Sequence, residues 1–310
     1  MHQVAVVQAA PILFDLEKSL HKTAALTREA AGAGAQLVLF PESFLPAYPR
    51  GLGFGSVVGS RTPQGREDWL LYFRNAVRVP SPATDELGKI ARDNAVFLAI
   101  GITEIGESGG TLYCSLLLFG PDGHLLLRHR KLKPTAAERI VWGEGDGEDL
   151  RVVPTPLGNI GGLICWENYM PLARMALYRQ DIHLYLAPTA DQRDTWQATL
   201  RHIACEGRCY VLACNQYVEK AMYPERFQQE LGPQPDVLCR GGSAILSPLG
   251  EVLAGPLWDR EGILYAETDL DEIVKSRLDF DACGHYDRPD VFSFQAKSIP
   301  DHTKILLPPT

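Results

Sequence analysis

The stretch Gly161–Pro188, GGLICWENYMPLARMALYRQDIHLYLAP, governs how the rest of the chain is read. It opens as an apolar run that ends on Cys165 and breaks at once into Trp166-Glu167-Asn168. It then takes helical spacing through residues 171–180 and returns to an apolar run over 182–188. Strand, polar break, helix and strand make up the unit from which layered α/β folds are built. In such folds the groups that bind or react sit at the carboxyl ends of strands. Cys165 therefore has two readings. It is either an inert core thiol, the commoner state of a cysteine in a reduced protein, or a nucleophile presented at a strand exit.

Working outward, residues 3–8, 36–40, 96–102, 111–119 and 209–216 are further strand-like apolar runs, and residues 16–32, 83–94, 193–208 and 270–280 carry helical spacing. The turn signals ESGG and PDG (121–123) predict hairpins around residues 111–119 and 124–132. Three late runs, SAILSP, EVLAGP and ILYAET, suggest a β-meander. Strand–helix alternation mixed with antiparallel signals points to an α/β fold of packed layers rather than a purely parallel doubly wound sheet. Residues 49–82, rich in Gly, Arg and Pro, and residues 217–241 read as insertions. No internal repeat is visible. The expected organisation is one catalytic domain over 1–284 followed by a tail, 285–310, lying on the surface or in an interface.

Composition excludes several function classes. Of 310 residues 45% are hydrophobic and 22% charged, ordinary globular usage, and the formal net charge of -8 gives no electrostatic support for nucleic-acid binding. The first residues, MHQVAVVQAAP, are too short an apolar run for a signal peptide and suit a buried strand. No run approaches membrane-spanning length. Seven cysteines without a CxxC pair, and without histidine at ligand spacing, argue against both a disulfide scaffold and a metal site. The expectation is a cytoplasmic protein with reduced thiols and no metal or cofactor.

Three apolar runs end on reactive side chains: QLVLFPE on Glu42, LLLRHRK on Lys131 and GGLIC on Cys165. A carboxylate, an ammonium and a thiol at strand exits make a plausible base, cation and nucleophile. A helix starting just after Cys165 would aim its N-terminal dipole at the sulfur and favour the thiolate. Each residue also has an ordinary reading: an exposed turn glutamate, a solvated basic stretch, a core thiol. Lys133 competes with Lys131, although Lys131 shares a strand face with His129. Glu138 is either the lysine's orienting partner or helix-surface charge. Tyr48, Trp142, Trp166 and Tyr169 are candidates for a substrate pocket, as are Pro188 and Thr189 at another strand end; core packing is the alternative for each aromatic. GxGxxG, GxxxxGK[ST] and HExxH are absent.

Taken together, FPESFLPAYP, HRKLKPTAAERIVWGEGDG and GGLICWENYMPLARMALY resemble the nitrilase branch of the carbon-nitrogen hydrolase superfamily, and HIACEGRCYVLACNQ and GHYDRPDVF agree. The resemblance runs from the first strand to about Phe292. It implies an α-β-β-α sandwich with Glu42 as general base, Lys131 as the charge-stabilising cation, Cys165 as nucleophile and Glu138 beside the lysine. It selects Lys131 over Lys133. It also implies a homo-oligomer, a dimer or larger and in some members a spiral, paired through helices near the active-site elbow. The implied activity is hydrolysis of an organic nitrile to the acid and ammonia through a thioimidate and an acyl-thioester, without cofactor. CWEN resembles true nitrilases, while Ala47 departs from a glycine common in them and leaves substrate size open. The rival readings are an amidase or N-carbamoyl hydrolase with the same triad, and a catalytically silent scaffold that keeps the fold.

Overall fold

A computed structural model of the chain describes residues 1–296. Its elements in chain order are β1 His2–Gln8, α1 Leu16–Gly32, β2 Leu37–Leu39, α2 Pro63–Asn75, β3 Val77–Arg78, α3 Pro82–Asp93, β4 Phe97–Ile105, β5 Leu112–Phe119, β6 Leu125–Arg130, β7 Ile160–Gly162, α4 Pro171–Tyr178, β8 Leu184–Pro188, α5 Asp194–Gly207, β9 Tyr210–Cys214, β10 Tyr217–Glu219, α6 Gln228–Leu231, β11 Val237–Leu246, β12 Val252–Trp258, β13 Gly262–Thr268 and α7 Leu270–Ser276.

The strands form two sheets. One runs β13-β1-β2-β4-β5-β6 with β3 also paired to β4; the other runs β10-β11-β9-β8-β7 with β12 paired to β11. Side chains alternate faces along a strand, and the burial follows that period. Val4 and Val6 of β1 join Ile160, Leu184, Leu186 and Leu212 in a core between the sheets. Ala5 and Val7 face the other way and pack with Leu87, Ile90 and Ala91 of α3. On the second sheet Tyr185, Ala187 and Val211 lie under Ala176 and Leu177 of α4 and Leu200 and Ile203 of α5. The α/β layering therefore reads helix, sheet, sheet, helix, with antiparallel pairs β4–β5 and β5–β6 where the turn signals placed hairpins.

Three local expectations are corrected. The late runs do not form a three-strand meander. β12 pairs with β11, but β13 crosses to the first sheet and pairs with β1 from His2↔Thr268 to Gln8↔Gly262, covering the open side of β1. Residues 49–82, read as an insertion, carry a helix: Thr62 caps α2 through a hydrogen bond from Gly65 N, Pro63 starts it, and its Tyr72 is fully buried. The helical spacing over 270–280 yields only Leu270–Ser276. The apolar run ending on Cys165 is strand only to Gly162; Cys165–Tyr169 form a 3₁₀ turn, so α4 starts at Pro171, away from the sulfur. The described part of the tail runs along α4, where Asp287 meets Arg179 at 2.8 Å and Phe294 packs on the helix-side cluster. Residues 297–310 of the expected tail lie outside the described residues.

Candidate active site

The site is assembled from loops that leave the facing sheets. After β2 the chain continues through Phe40 and Pro41 to Glu42, hugging β4 so closely that a Cβ on Gly101 would stand 2.3 Å from Pro41 O and 2.7 Å from Glu42 Cα. Only glycine permits that approach. Gln216 Nε2 donates to the Glu42 carbonyl at 2.8 Å, holding the loop from the second sheet. Lys131 follows β6, its amide bonded to Cys114 O at 2.8 Å. Cys165 opens its turn with φ +52°, the left-handed region that a non-glycine residue adopts at a cost of about 1–3 kcal/mol. That conformation turns the side chain inward, and Cys165 is 4% exposed.

The side chains converge. Lys131 Nζ donates to Glu42 Oε1 at 2.7 Å and to Glu138 Oε2 at 2.7 Å, with Lys131 and Glu42 fully buried. Glu138 also accepts from Thr135 N and from the Tyr48 hydroxyl, each at 2.7 Å, so its oxygens are fully engaged. Cys114 Sγ reaches Glu42 Oε1 at 3.6 Å. Glu42 Oε2 is different: it is buried and has no hydrogen-bond partner among the described residues. Thr189 Oγ1, just beyond β8, donates to Cys165 Sγ at 3.2 Å.

The charges are strongly coupled. Burial raises the Glu42 carboxyl above the usual range and Glu138 adds to this, while Lys131 pulls it down. Burial opposes the Lys131 ammonium, but Glu42, Cys165, Cys114 and Glu138 outweigh it and hold the proton firmly. Burial, then the Glu42 charge, pushes the Cys165 thiol well up, against Lys131. The expectation of a helix dipole at the sulfur is corrected by the 3₁₀ turn that delays α4 to Pro171, and burial together with the Glu42 charge favours the neutral thiol.

Of the expected pocket residues, Tyr48 and Trp142 lie with the charges. Their rings are 5.6 Å apart, and Trp142 lies 5.9 Å from Lys131 Nζ. Thr189 touches the sulfur and Pro188 ends the adjoining strand. Trp166 and Tyr169 turn elsewhere: they are 38% and 43% exposed, pack edge to face, and reach Asp191 and Thr199. Lys133 pairs instead with Glu144 on the surface.

Sequence reasoning missed a bracket behind the site. The buried Glu167 carboxylate accepts from Leu132 N at 2.7 Å, from Ile164 N at 2.7 Å and from His129 Nε2 at 3.0 Å, tying the residue after Lys131 to the residue before Cys165. Burial works against a charged His129, but Glu167 more than compensates and raises its pKa. The signal was present in the polar triplet after Cys165 and in the shared face of His129 and Lys131. Asn168 completes the turn, donating to Leu163 O and Cys165 O at 2.9 and 2.8 Å.

Comparison with known proteins then places this geometry. The sequence model of the carbon-nitrogen hydrolase family matches residues 3–277. The chain belongs to the carbon-nitrogen hydrolase family. This carbon-nitrogen hydrolase is 50% identical to an aliphatic nitrilase of Sinorhizobium fredii over 96% of each chain. It is 47% identical to a bifunctional nitrilase/nitrile hydratase, NIT4A, of Lupinus angustifolius, over 96% of this chain and 86% of that one. Those relatives place it in the nitrilase branch. Among solved structures, Nit3 of Saccharomyces cerevisiae aligns with a TM-score of 0.72 at 22% identity, over 92% of this chain and 96% of that one. An amidase from Nesterenkonia aligns at 0.64 and 20%, over 90% and 94%. At such identities these two speak for the fold alone. Among the described residues, no cluster of three or more His, Cys, Asp or Glu is placed to hold a metal ion, and no helix is long and apolar enough to cross a membrane.

Proposed function

We propose that this carbon-nitrogen hydrolase is a nitrilase that converts an organic nitrile to the carboxylic acid and ammonia, with Cys165 as nucleophile, Glu42 as general base, Lys131 as the charge-stabilising cation and Glu138 holding the lysine. One observation carries the reading: Lys131 joins Glu42 and Glu138 by 2.7 Å hydrogen bonds, and the buried Cys165 sulfur lies within the influence of the Glu42 and Lys131 charges. Cys165 Sγ adds to the cyano carbon as its proton passes to Glu42 and on to the nitrogen, giving a thioimidate. The partnerless Glu42 Oε2 is the oxygen left to take that proton. Water, deprotonated by Glu42, adds to the same carbon; the C–N bond breaks, ammonia leaves, and a thioester remains. A second water releases the acid and returns the thiol. Lys131, with two of its three protons committed, turns the third toward the developing charge, a preorganised contact of about 3–4 kcal/mol.

No metal or organic cofactor takes part in this scheme. Tyr48, Trp142 and Thr189 line the pocket in it, and Trp166 and Tyr169 belong to an oligomer face. With Met170 and Leu172 they leave a partly apolar surface where α4 begins, suited to pairing a second copy into a dimer or a longer spiral. The seven free cysteines suit a reducing compartment such as the cytoplasm, and the single catalytic domain spans 1–284.

The test compares a panel of nitriles with their matching amides, following ammonia, acid and amide. Ammonia and acid from the nitriles, at rates well above the amides, is the expected result. Amides turned over while nitriles are not would replace the nitrilase reading with the amidase or N-carbamoyl one. No turnover of either, with Cys165 unreactive to alkylation, would favour a silent scaffold.

A further inference from the structure

We propose that Arg50 is an anion anchor beside the nucleophile, so that the nitrile this chain handles best carries a carboxylate a few bonds from its cyano carbon. The inference deepens the nitrilase reading and rests on it.

Eight arginines among the described residues are not exposed, and seven of them meet a carboxylate within 3.5 Å. Arg50 is the eighth, and it pairs with no carboxylate among the described residues. Its place makes the exception informative. Its Nη2 donates to the carbonyl of Ala190, the residue after the Thr189 whose hydroxyl rests on Cys165 Sγ. Its guanidinium carbon lies 5.3 Å from the centre of the Tyr48 ring, and the Tyr48 hydroxyl bonds to Glu138 at 2.7 Å. The guanidinium is thus strung between the wall that carries the nucleophile and the wall that orients Lys131. Tyr223 steadies its backbone, its hydroxyl donating to the carbonyls of Tyr48 and Arg50 at 3.2 and 3.3 Å.

Part of the fork is uncommitted. Nη2 has the Ala190 carbonyl and a long contact to Cys239 Sγ at 3.6 Å. Nε and Nη1 make no hydrogen bond to described residues, yet neither is among the buried polar atoms sealed off without a partner. A partly desolvated guanidinium without a counterion costs free energy that an arriving anion recovers. The planar fork matches a carboxylate in two parallel hydrogen bonds. Repulsion from Glu42 and Glu138 is blunted, because Lys131 is bonded to both. A substrate with a cyano group at one end and a carboxylate at the other would be held by Arg50 and attacked by Cys165.

The experiment sets 3-cyanopropanoate against its neutral near-isostere 4-methylpentanenitrile, in the full-length protein and in Arg50→Gln and Arg50→Lys. The ratio of kcat/KM, anionic over neutral, falls at least about tenfold in Arg50→Gln, chiefly through KM, and Arg50→Lys recovers part of it. A ratio that does not move, or equal losses on both nitriles, makes Arg50 a brace for Tyr48 and overturns the proposal. A second arm needs no turnover: succinate slows alkylation of Cys165 by iodoacetamide in the wild type and does so much less in Arg50→Gln. If no nitrile is hydrolysed, the nitrilase reading falls while this protection still decides Arg50. Equal protection in both proteins, or none in either, overturns the anchor.

Discussion

The two faces of strands β4, β5 and β6 carry ion clusters of opposite build. On the outer face one carboxylate, Glu104, is held by two guanidinium groups and a hydroxyl. Arg130 Nε and Arg128 Nε donate at 3.0 and 3.2 Å, and Ser115 Oγ at 2.7 Å. Burial opposes its charge, but Arg130, Arg128 and Ser115 win, and the carboxyl sits below its usual range. On the inner face one ammonium, Lys131, serves two carboxylates, and Glu42 is left above its usual range with an oxygen that has no hydrogen-bond partner among the described residues. The same pleat builds both, since Arg128 and Arg130 alternate with His129 and Lys131. A cluster whose lone pairs are all used can only hold structure. One with a buried oxygen in reserve can accept a proton.

The contrast can be broken by mutation. Cys165→Ala removes the atom the inner cluster serves; ammonia release should fall below about one part in 10⁴ with the circular dichroism spectrum unchanged. Near-normal turnover would end the assignment. Glu42→Gln should cost about 10³-fold in kcat, and Lys131→Arg should not restore activity, because a planar fork places its charge differently.

As the proposed base, Glu42 should also set a pH limb. The base works only when ionised, and its carboxyl is raised, so kcat/KM should climb with pH through a value above the ordinary glutamate range; a limb at or below that range counts against Glu42. Glu104→Gln should show the reverse profile: about 2 kcal/mol less stability in urea denaturation, with kcat kept within about twofold. Because the folded carboxyl is lowered, the stability lost is present above the ordinary glutamate pKa and disappears as pH falls through the folded value. A large drop in kcat at full stability would erase the distinction between the faces.

At the surface, Asp181 is held down to about 2, first by His183 and then by Arg277, with burial working against them. Its lowered value also means a contribution present above the ordinary aspartate pKa and lost as pH falls toward the folded value. Asp181→Asn should cost about 0.5 kcal/mol at neutral pH, measured as a small fall in Tm with no change in kcat.

The layers were legible because β1, β2, β4, β5, β8 and β9 are apolar runs bounded by turn signals, and their burial follows period two. The positions of Glu42, Lys131 and Cys165 at strand exits could be read from the same runs. Other features turn on tertiary geometry that a local pattern does not encode. The +52° backbone of Cys165 places the sulfur without a helix terminus. Glu167, two residues on, shows only as a polar break until its carboxylate is seen clasping Leu132 N and Ile164 N. Arg50 sits among the Gly, Arg and Pro of an apparent insertion, and its lack of a carboxylate among the described residues is visible only when every other sheltered arginine there has one. The direction of the Trp166 ring, toward Asp191, is likewise not written in its place beside Cys165.

The pairing of β1 with β13 bears on how this polypeptide is made. Thr268 Oγ1 bonds to His2 O across 266 positions of sequence. β1 therefore leaves the ribosome long before β13, the strand that fills its ladder on the second side. Until then the nascent chain offers a hydrogen-bonding edge that any neighbouring polypeptide could capture, so truncation before residue 262 should yield insoluble product rather than a smaller working enzyme.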